Sequence, residues 1–202
     1  MLIEHQGKRP TVDPTAWIAP TAVLCGDVTV GPRCEVAFGA VIAAEGGSVT
    51  LGKQVIVREN AVIRATGTHP VSIGDHVLVG PHAMLRGCQV GEQCFLATGV
   101  AMFDGARVEA QTEVRINGVV HVNSTLGPNS LVPIGWIAIG DPAEVFAPDA
   151  HDVYNDRLAA VDFPATVYGV DRLDRPGVDI DMIEVTGRLA DGLGHHRDDR
   201  LI

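Results

Sequence analysis

The sequence predicts an all-β solenoid, specifically a left-handed parallel β-helix of six-residue repeats with α-helices at its C-terminal end. Three observations predict it. Apolar residues recur at Ile18, Leu24, Val30, Val36 and Ile42, then at Leu51, Val57 and Ile63, at Ile73, Val79 and Leu85, and from Val90 through Leu96, Met102, Val108, Val114, Val120 and Leu126 to Val132. Glycine often follows directly, as in Val30-Gly31, Leu51-Gly52, Ile73-Gly74 and Val90-Gly91. Aromatic residues make up only 4% of the chain, as a narrow prism interior filled by Val, Ile and Leu requires. A unit this short cannot bury its apolar side alone, but stacked units can. Three hexads, one per flat side, make one coil.

Breaks in the period mark where the coils depart from a plain prism. The step from Ile42 to Leu51 is nine, which places three extra residues around Glu45-Gly46-Gly47. The step from Ile63 to Ile73 is ten, an insertion around Gly67-Thr68-His69-Pro70, and the step from Leu85 to Val90 is five, a deletion. Such changes are expected to project as loops from the corners. The repeat stops at Ile139-Gly140-Asp141-Pro142. This divides the chain into a β-helix domain, residues 1–146, and a C-terminal appendage, residues 147–202. In the appendage a helix is expected from about Asp149 to Val161, a break over Phe163–Val170, and a second helix from about Asp179 to Leu193. Met182, Ile183, Val185, Leu189 and Leu193 would form the second helix's apolar stripe. The tail contains His195 and His196, which are expected to be solvated.

Composition excludes several classes of partner. The formal charge of −10 over 202 residues argues against nucleic acid and against an anionic membrane surface. No stretch reaches the roughly 18 apolar residues of a membrane span, and MLIEHQGKRP lacks the apolar centre of a signal peptide. The expected location is cytoplasmic. Cys25, Cys34, Cys88 and Cys94 form no CxxC pair and are read as small buried hydrophobes in a reducing compartment.

Two motifs carry a family resemblance. Gly80-Pro81-His82-Ala83-Met84-Leu85-Arg86-Gly87-Cys88-Gln89-Val90-Gly91 and Arg58-Glu59-Asn60-Ala61-Val62-Ile63-Arg64 closely resemble signatures of the γ-class carbonic anhydrase-like proteins of the hexapeptide-repeat superfamily. The resemblance spans roughly residues 11–146 and includes both insertions and the deletion. It implies a homotrimer with sites in the clefts between subunits. It also implies that the three zinc-ligand histidines are replaced by Arg64, Pro81 and Arg86. The supporting Gln-Asp pair is replaced by Arg58-Glu59, and an Arg-Gly-Asp by Ala43-Ala44-Glu45. A zinc hydrase needs neutral imidazoles and an open coordination position, and guanidinium offers neither lone pair nor exchangeable charge. Carbonic anhydrase activity is therefore not expected, and no metal and no cofactor are assigned. A shifted metal site from His69 and His82 is the remaining arrangement of that kind.

Residues one position after the inward aliphatics stack outward as Ala43, Arg64, Arg86, Phe103 and His121. Two guanidinium groups at the ~4.8 Å strand spacing repel by roughly 3 kcal/mol at an effective dielectric near 20, so carboxylates must offset them or the side chains must splay. Under one reading Arg64 and Arg86 pair with Glu45 or Glu59 and hold subunits together. Under another, Arg64, Arg86 and Arg58 bind a small anionic molecule beside Phe103. A metal-free enzyme would use His121 or His82 as general base with Glu45 or Glu59 as its partner. Acyl transfer from coenzyme A, with the His69 loop in play, and a ligand-free scaffold are further alternatives, since fold alone does not choose among them.

Overall fold

In a computed structural model, which describes residues 1–171, 173 and 180–202, the solenoid is built almost entirely of parallel strand pairs. Three inward ladders run its length. Leu24, Ile42, Ile63, Leu85, Met102, Val120 and Ala138 pair rung to rung. Val30, Leu51, Ile73, Val90, Val108 and Leu126 form the second ladder. Ile18, Val36, Val57, Val79, Leu96, Val114 and Val132 form the third. All are buried except Ile18, which is partly so. These are the residues that the six-residue period selects, with Ala138 extending the first row. Corners use the left-handed backbone region: Asn60, His82, Asn117, Asn123 and Asn129 all have φ between 51° and 58°. Asn takes this conformation at lower cost than other side chains because it hydrogen-bonds locally.

The first insertion is a bulge within a strand rather than a separate loop. Its residues stay in one long strand, Val41–Leu51, that follows Val23–Val30 with a register shift between Gly26 and Val28. Gly46, at φ 89°, absorbs the extra length. The second insertion is a tight loop closed by reciprocal backbone hydrogen bonds between Thr66 and His69.

Beyond the last coil, Glu144–Phe146 folds back antiparallel on Ile137–Ile139. Helix α1, His151–Ala160, packs Tyr154 against Phe146. The expected break is a single wide turn, Pro164–Tyr168. Helix α2, Met182–Gly194, is capped by the Asp181 carboxylate, which accepts hydrogen bonds from the Ile183 and Glu184 amides. Its expected start at Asp179 lies outside the described residues. Of its apolar stripe only Val185 is buried; Met182, Ile183, Leu189 and Leu193 face outward. The tail then returns to the opposite end of the solenoid. Arg200–Leu201 pairs antiparallel with Leu2–Glu4, which itself lies parallel to Val23–Val30.

Candidate functional site

Register places Cys25, Ala43, Arg64 and Arg86 on successive rungs of one outward column. Phe103 and His121 continue it, each following the next inward residue. Described residues of the appendage meet this column in the reverse order, at His121 and Phe103, at Arg86 and at Cys25.

At the far end Phe163 sits 5.7 Å from Phe103 and 5.8 Å from His121, ring centroid to centroid, and Phe103 and His121 are themselves 5.9 Å apart. Burial holds the His121 imidazole below its usual pKa, so the ring is neutral near pH 7. Its Nδ1 is buried without a hydrogen-bond partner among the described residues.

One rung on, Arg86 is enclosed. Its Nε lies 3.0 Å from an Asp104 carboxylate oxygen, close as an ion pair though not aligned as a hydrogen bond. Its guanidinium also donates to the Val167 carbonyl at 2.8 Å and stacks over the Tyr168 ring. Asp104 is only 1% exposed and accepts a further hydrogen bond from the Thr66 hydroxyl at 3.3 Å, with His69 3.9 Å away. The bare Cα of Gly87 makes room for this carboxylate: a Cβ there, at φ 52°, would lie 2.4 Å from it. A lone acid one coil after a shortened corner glycine was the sequence signal for Asp104, which the column reading missed.

Arg64 donates to Glu45 in a short ion pair. The repulsion expected between the stacked arginines is thus offset within one chain by Glu45 and Asp104. Glu45 also faces His196 Nε2 at 3.5 Å. His196 is therefore not a solvated tail residue: its Nδ1 lies 2.7 Å from Asp199 and its ring stacks on His5. The hydrogen bond to Asp199 is the largest influence raising its pKa.

The other candidate residues lie elsewhere. Arg58 pairs with its neighbour Glu59 at 3.0 Å and shares a shallow groove with Trp17 and Phe38 on the face of the seven-stranded sheet. His82 sits exposed at a corner, its amide bonded to the Glu59 carbonyl. His69 bonds the Thr68 hydroxyl in its own loop. Cys34, Cys88 and Cys94 lie in the core as expected, and burial pushes the Cys88 thiol up to about 12. Cys25 differs: it is buried but outside the core cluster, in contact with Asp199.

No family model matches the chain. Gamma carbonic anhydrase 1, mitochondrial, of Arabidopsis thaliana is 28% identical over 167 residues, covering 80% of this chain and 57% of that protein. The chain thus spans just over half the length of this plant relative. A probable carbonic anhydrase of Methanocaldococcus jannaschii is 30% identical over 115 residues, which cover 57% of this chain and 72% of that protein. Among solved structures, a hexapeptide transferase family protein from Anaplasma phagocytophilum superposes with a TM-score of 0.54 at 21% identity, covering 96% of this chain and 93% of that one. That likeness establishes the fold, and the sequence relatives establish the lineage. The chain belongs to the γ-carbonic anhydrase-like family of hexapeptide-repeat β-helix proteins.

Proposed function

We propose that this chain forms a homotrimer that lacks the family's three-imidazole zinc centre and binds a small anion at the subunit cleft. The observation that carries the reading is the pair of in-register arginines. Arg86 is enclosed by Asp104, Val167 and Tyr168, its side chain 21% exposed, whereas Arg64 pairs with Glu45 and stays 38% exposed. A guanidinium carries five N–H donors in a fixed plane, so Arg64 can grip a carboxylate or phosphate while Glu45 fixes its orientation. The family's zinc positions would then hold Arg64, Pro81 and Arg86, none of which ligates zinc. The threefold assembly is supported by bare apolar side chains on the seven-stranded face, with Trp17 48% and Phe95 42% exposed. Among the described residues no helix is long and apolar enough to cross a membrane, and four free cysteines suit the reducing cytoplasm.

Melting in citrate, phosphate and chloride at matched ionic strength tests this. Citrate or phosphate should raise the wild-type midpoint by several degrees over chloride, because a ligand that binds only the folded state stabilises it. Arg64→Ala should lose that increment. Equal anion effects in wild type and Arg64→Ala would defeat the reading.

A second reading, metal-free general-base chemistry, is favoured by the neutral His121 imidazole with its unpaired Nδ1. Its notional partners do not serve it, since Glu45 is held by Arg64 and Glu59 by Arg58.

A further inference from the structure

The head of the outward column gathers side chains from three distant parts of the sequence. His5 follows the first strand, Cys25 lies in the first coil, and His196 and Asp199 come from the tail. His5 and Cys25 are each only 4% exposed. One potential ligand atom from each of the four lies within 4.8 Å of all the others. Among the described residues this is the one such grouping. Both imidazoles point a nitrogen at the same carboxylate: His5 Nδ1 is 2.6 Å from one Asp199 oxygen and His196 Nδ1 is 2.7 Å from the other. Cys25 Sγ approaches Asp199 at 3.7 Å.

We infer that His5, Cys25, His196 and Asp199 form a structural binding site for zinc or a similar d-block dication, distinct from the interfacial position that the family resemblance concerns. Tetrahedral bonds of roughly 2.0–2.3 Å separate ligand atoms by about 3.3–3.7 Å. The two imidazole–carboxylate contacts would therefore open by under ~1 Å as a metal replaces the shared protons. Sulfur and nitrogen donors select zinc or cobalt over magnesium or calcium, which require oxygen. Charge also balances: one thiolate and one carboxylate neutralise a dication, with both imidazoles neutral. An outer carboxylate is already in place, because binding through His196 Nδ1 turns its Nε2 towards Glu45, itself fixed by Arg64. Four protein ligands fill a tetrahedron and leave no open position, so the site is a clasp rather than a hydration centre. It would fasten the tail, and with it the cover over the column, to the first coil.

The fold also explains the spacing. His196 and Asp199 lie three apart at the 3₁₀ turn His195–Asp198, where side chains at that interval eclipse. Residues 195 and 196 are adjacent histidines with opposite fates, since His195 is exposed and belongs to no part of the cluster.

The test uses the full chain, free of any affinity tag, titrated with cobalt(II) alone and then with zinc(II) alone. One equivalent of cobalt should give intense tetrahedral visible bands and a thiolate charge-transfer band in the near ultraviolet, both erased by one equivalent of zinc. Cys25→Ser should abolish the charge-transfer band. His196→Gln should weaken cobalt binding by more than ~100-fold, beyond the loss usual for an outer-shell partner. His195→Gln should change nothing. A wild-type spectrum of octahedral cobalt, a charge-transfer band that survives Cys25→Ser, or equal loss in His195→Gln and His196→Gln would each overturn the assignment. If Cys25→Ser fails to fold, His196→Gln, in a partly exposed tail position, decides alone.

Discussion

Two faces of the same prism differ in everything except their interiors. The column face and the seven-stranded face present equivalent inward ladders, Leu24 to Ala138 and Ile18 to Val132, and each buries its rungs almost completely. Outwardly, the first face carries Cys25, Arg64, Arg86, Phe103 and His121, and Phe163, Val167, His196 and Asp199 of the appendage lie against it. The second face stacks Trp17, Glu35, Ile56, Leu78, Phe95, Glu113 and Leu131 in register, with Trp17, Phe95 and Leu131 bare. In a solenoid the inward code is nearly the same on every side, so it specifies the fold and nothing more. Individuality lies in the outward code and in what covers it.

The largest expected effect is on the covered face. Asp104→Asn removes the charge that Arg86 pairs with in a buried setting, and breaking such a pair costs about 3 kcal/mol because the remaining guanidinium is left uncompensated. On the other face Glu113 and Arg115 also lie 3.0 Å apart, but both are over 40% exposed. Glu113→Gln should therefore cost under ~0.5 kcal/mol. Urea unfolding of the two variants measures the contrast directly, and equal losses would mean that cover makes no difference.

Phe163→Ala comes next. Phe163 is the apolar contact between the appendage and Phe103 with His121, and its partial exposure puts the cost at about 2 kcal/mol, below that of a fully buried ring. Loss of cover should also appear as faster proteolysis in the appendage while the coils stay resistant. Unchanged cleavage would show that α2 and the tail hold without this latch.

Most of the fold was legible because one strong rule governs it: a six-residue step keeps an aliphatic side chain inside, and Met102 or Leu126 obeys it whatever its neighbours do. The helices were legible to within about three residues, from rhythm and from the break at Phe163-Pro164. The site was legible only in part. Arg64, Arg86, Phe103 and His121 share a column by arithmetic alone, but their partners come from segments whose approach no local pattern encodes. Asp104 reaches Arg86 through space opened by Gly87, Val167 contributes a backbone carbonyl, and Asp199 meets Cys25 across 174 residues of sequence. The inserted residues Glu45–Gly47 form a bulge at the register shift in the strand, packed tightly on the second insertion: a Cβ on Gly46 would lie 3.0 Å from Gly67 Cα, and one on Gly47 2.3 Å from the Thr66 carbonyl oxygen.

A smaller effect depends on pH. Burial depresses the His121 pKa, so the unfolded chain binds the proton more readily than the folded one. The stabilisation is fully present above the unfolded value of about 6.5 and fades as pH falls through the folded value. Replacing the ring by His121→Phe removes the titrating group and its unpaired nitrogen while keeping an aromatic surface for Phe103 and Phe163. Between pH 7.5 and 5.5 the variant should lose less of its melting temperature than wild type does. Parallel curves would place the acid sensitivity elsewhere.

On the bare face the stability change should be smallest and the consequence for assembly greatest. Phe95 sits mid-stripe between Leu78 and Glu113 and is 42% exposed among the described residues. Phe95→Glu removes no intramolecular packing of consequence, so the stability of the isolated subunit should move by less than ~0.5 kcal/mol. If a second copy covers this stripe, a carboxylate at its centre must be desolvated against apolar side chains, which is costly enough to abolish association. Light scattering at micromolar concentration should then give three chains for wild type and one for the variant, with unchanged circular dichroism. Gln89→Glu, on the polar outward row shared with Ser72 and Arg107, should leave the mass at three. A wild-type protein that is already a monomer would remove the assembly, and with it the cleft in which Arg64 is proposed to meet its anion.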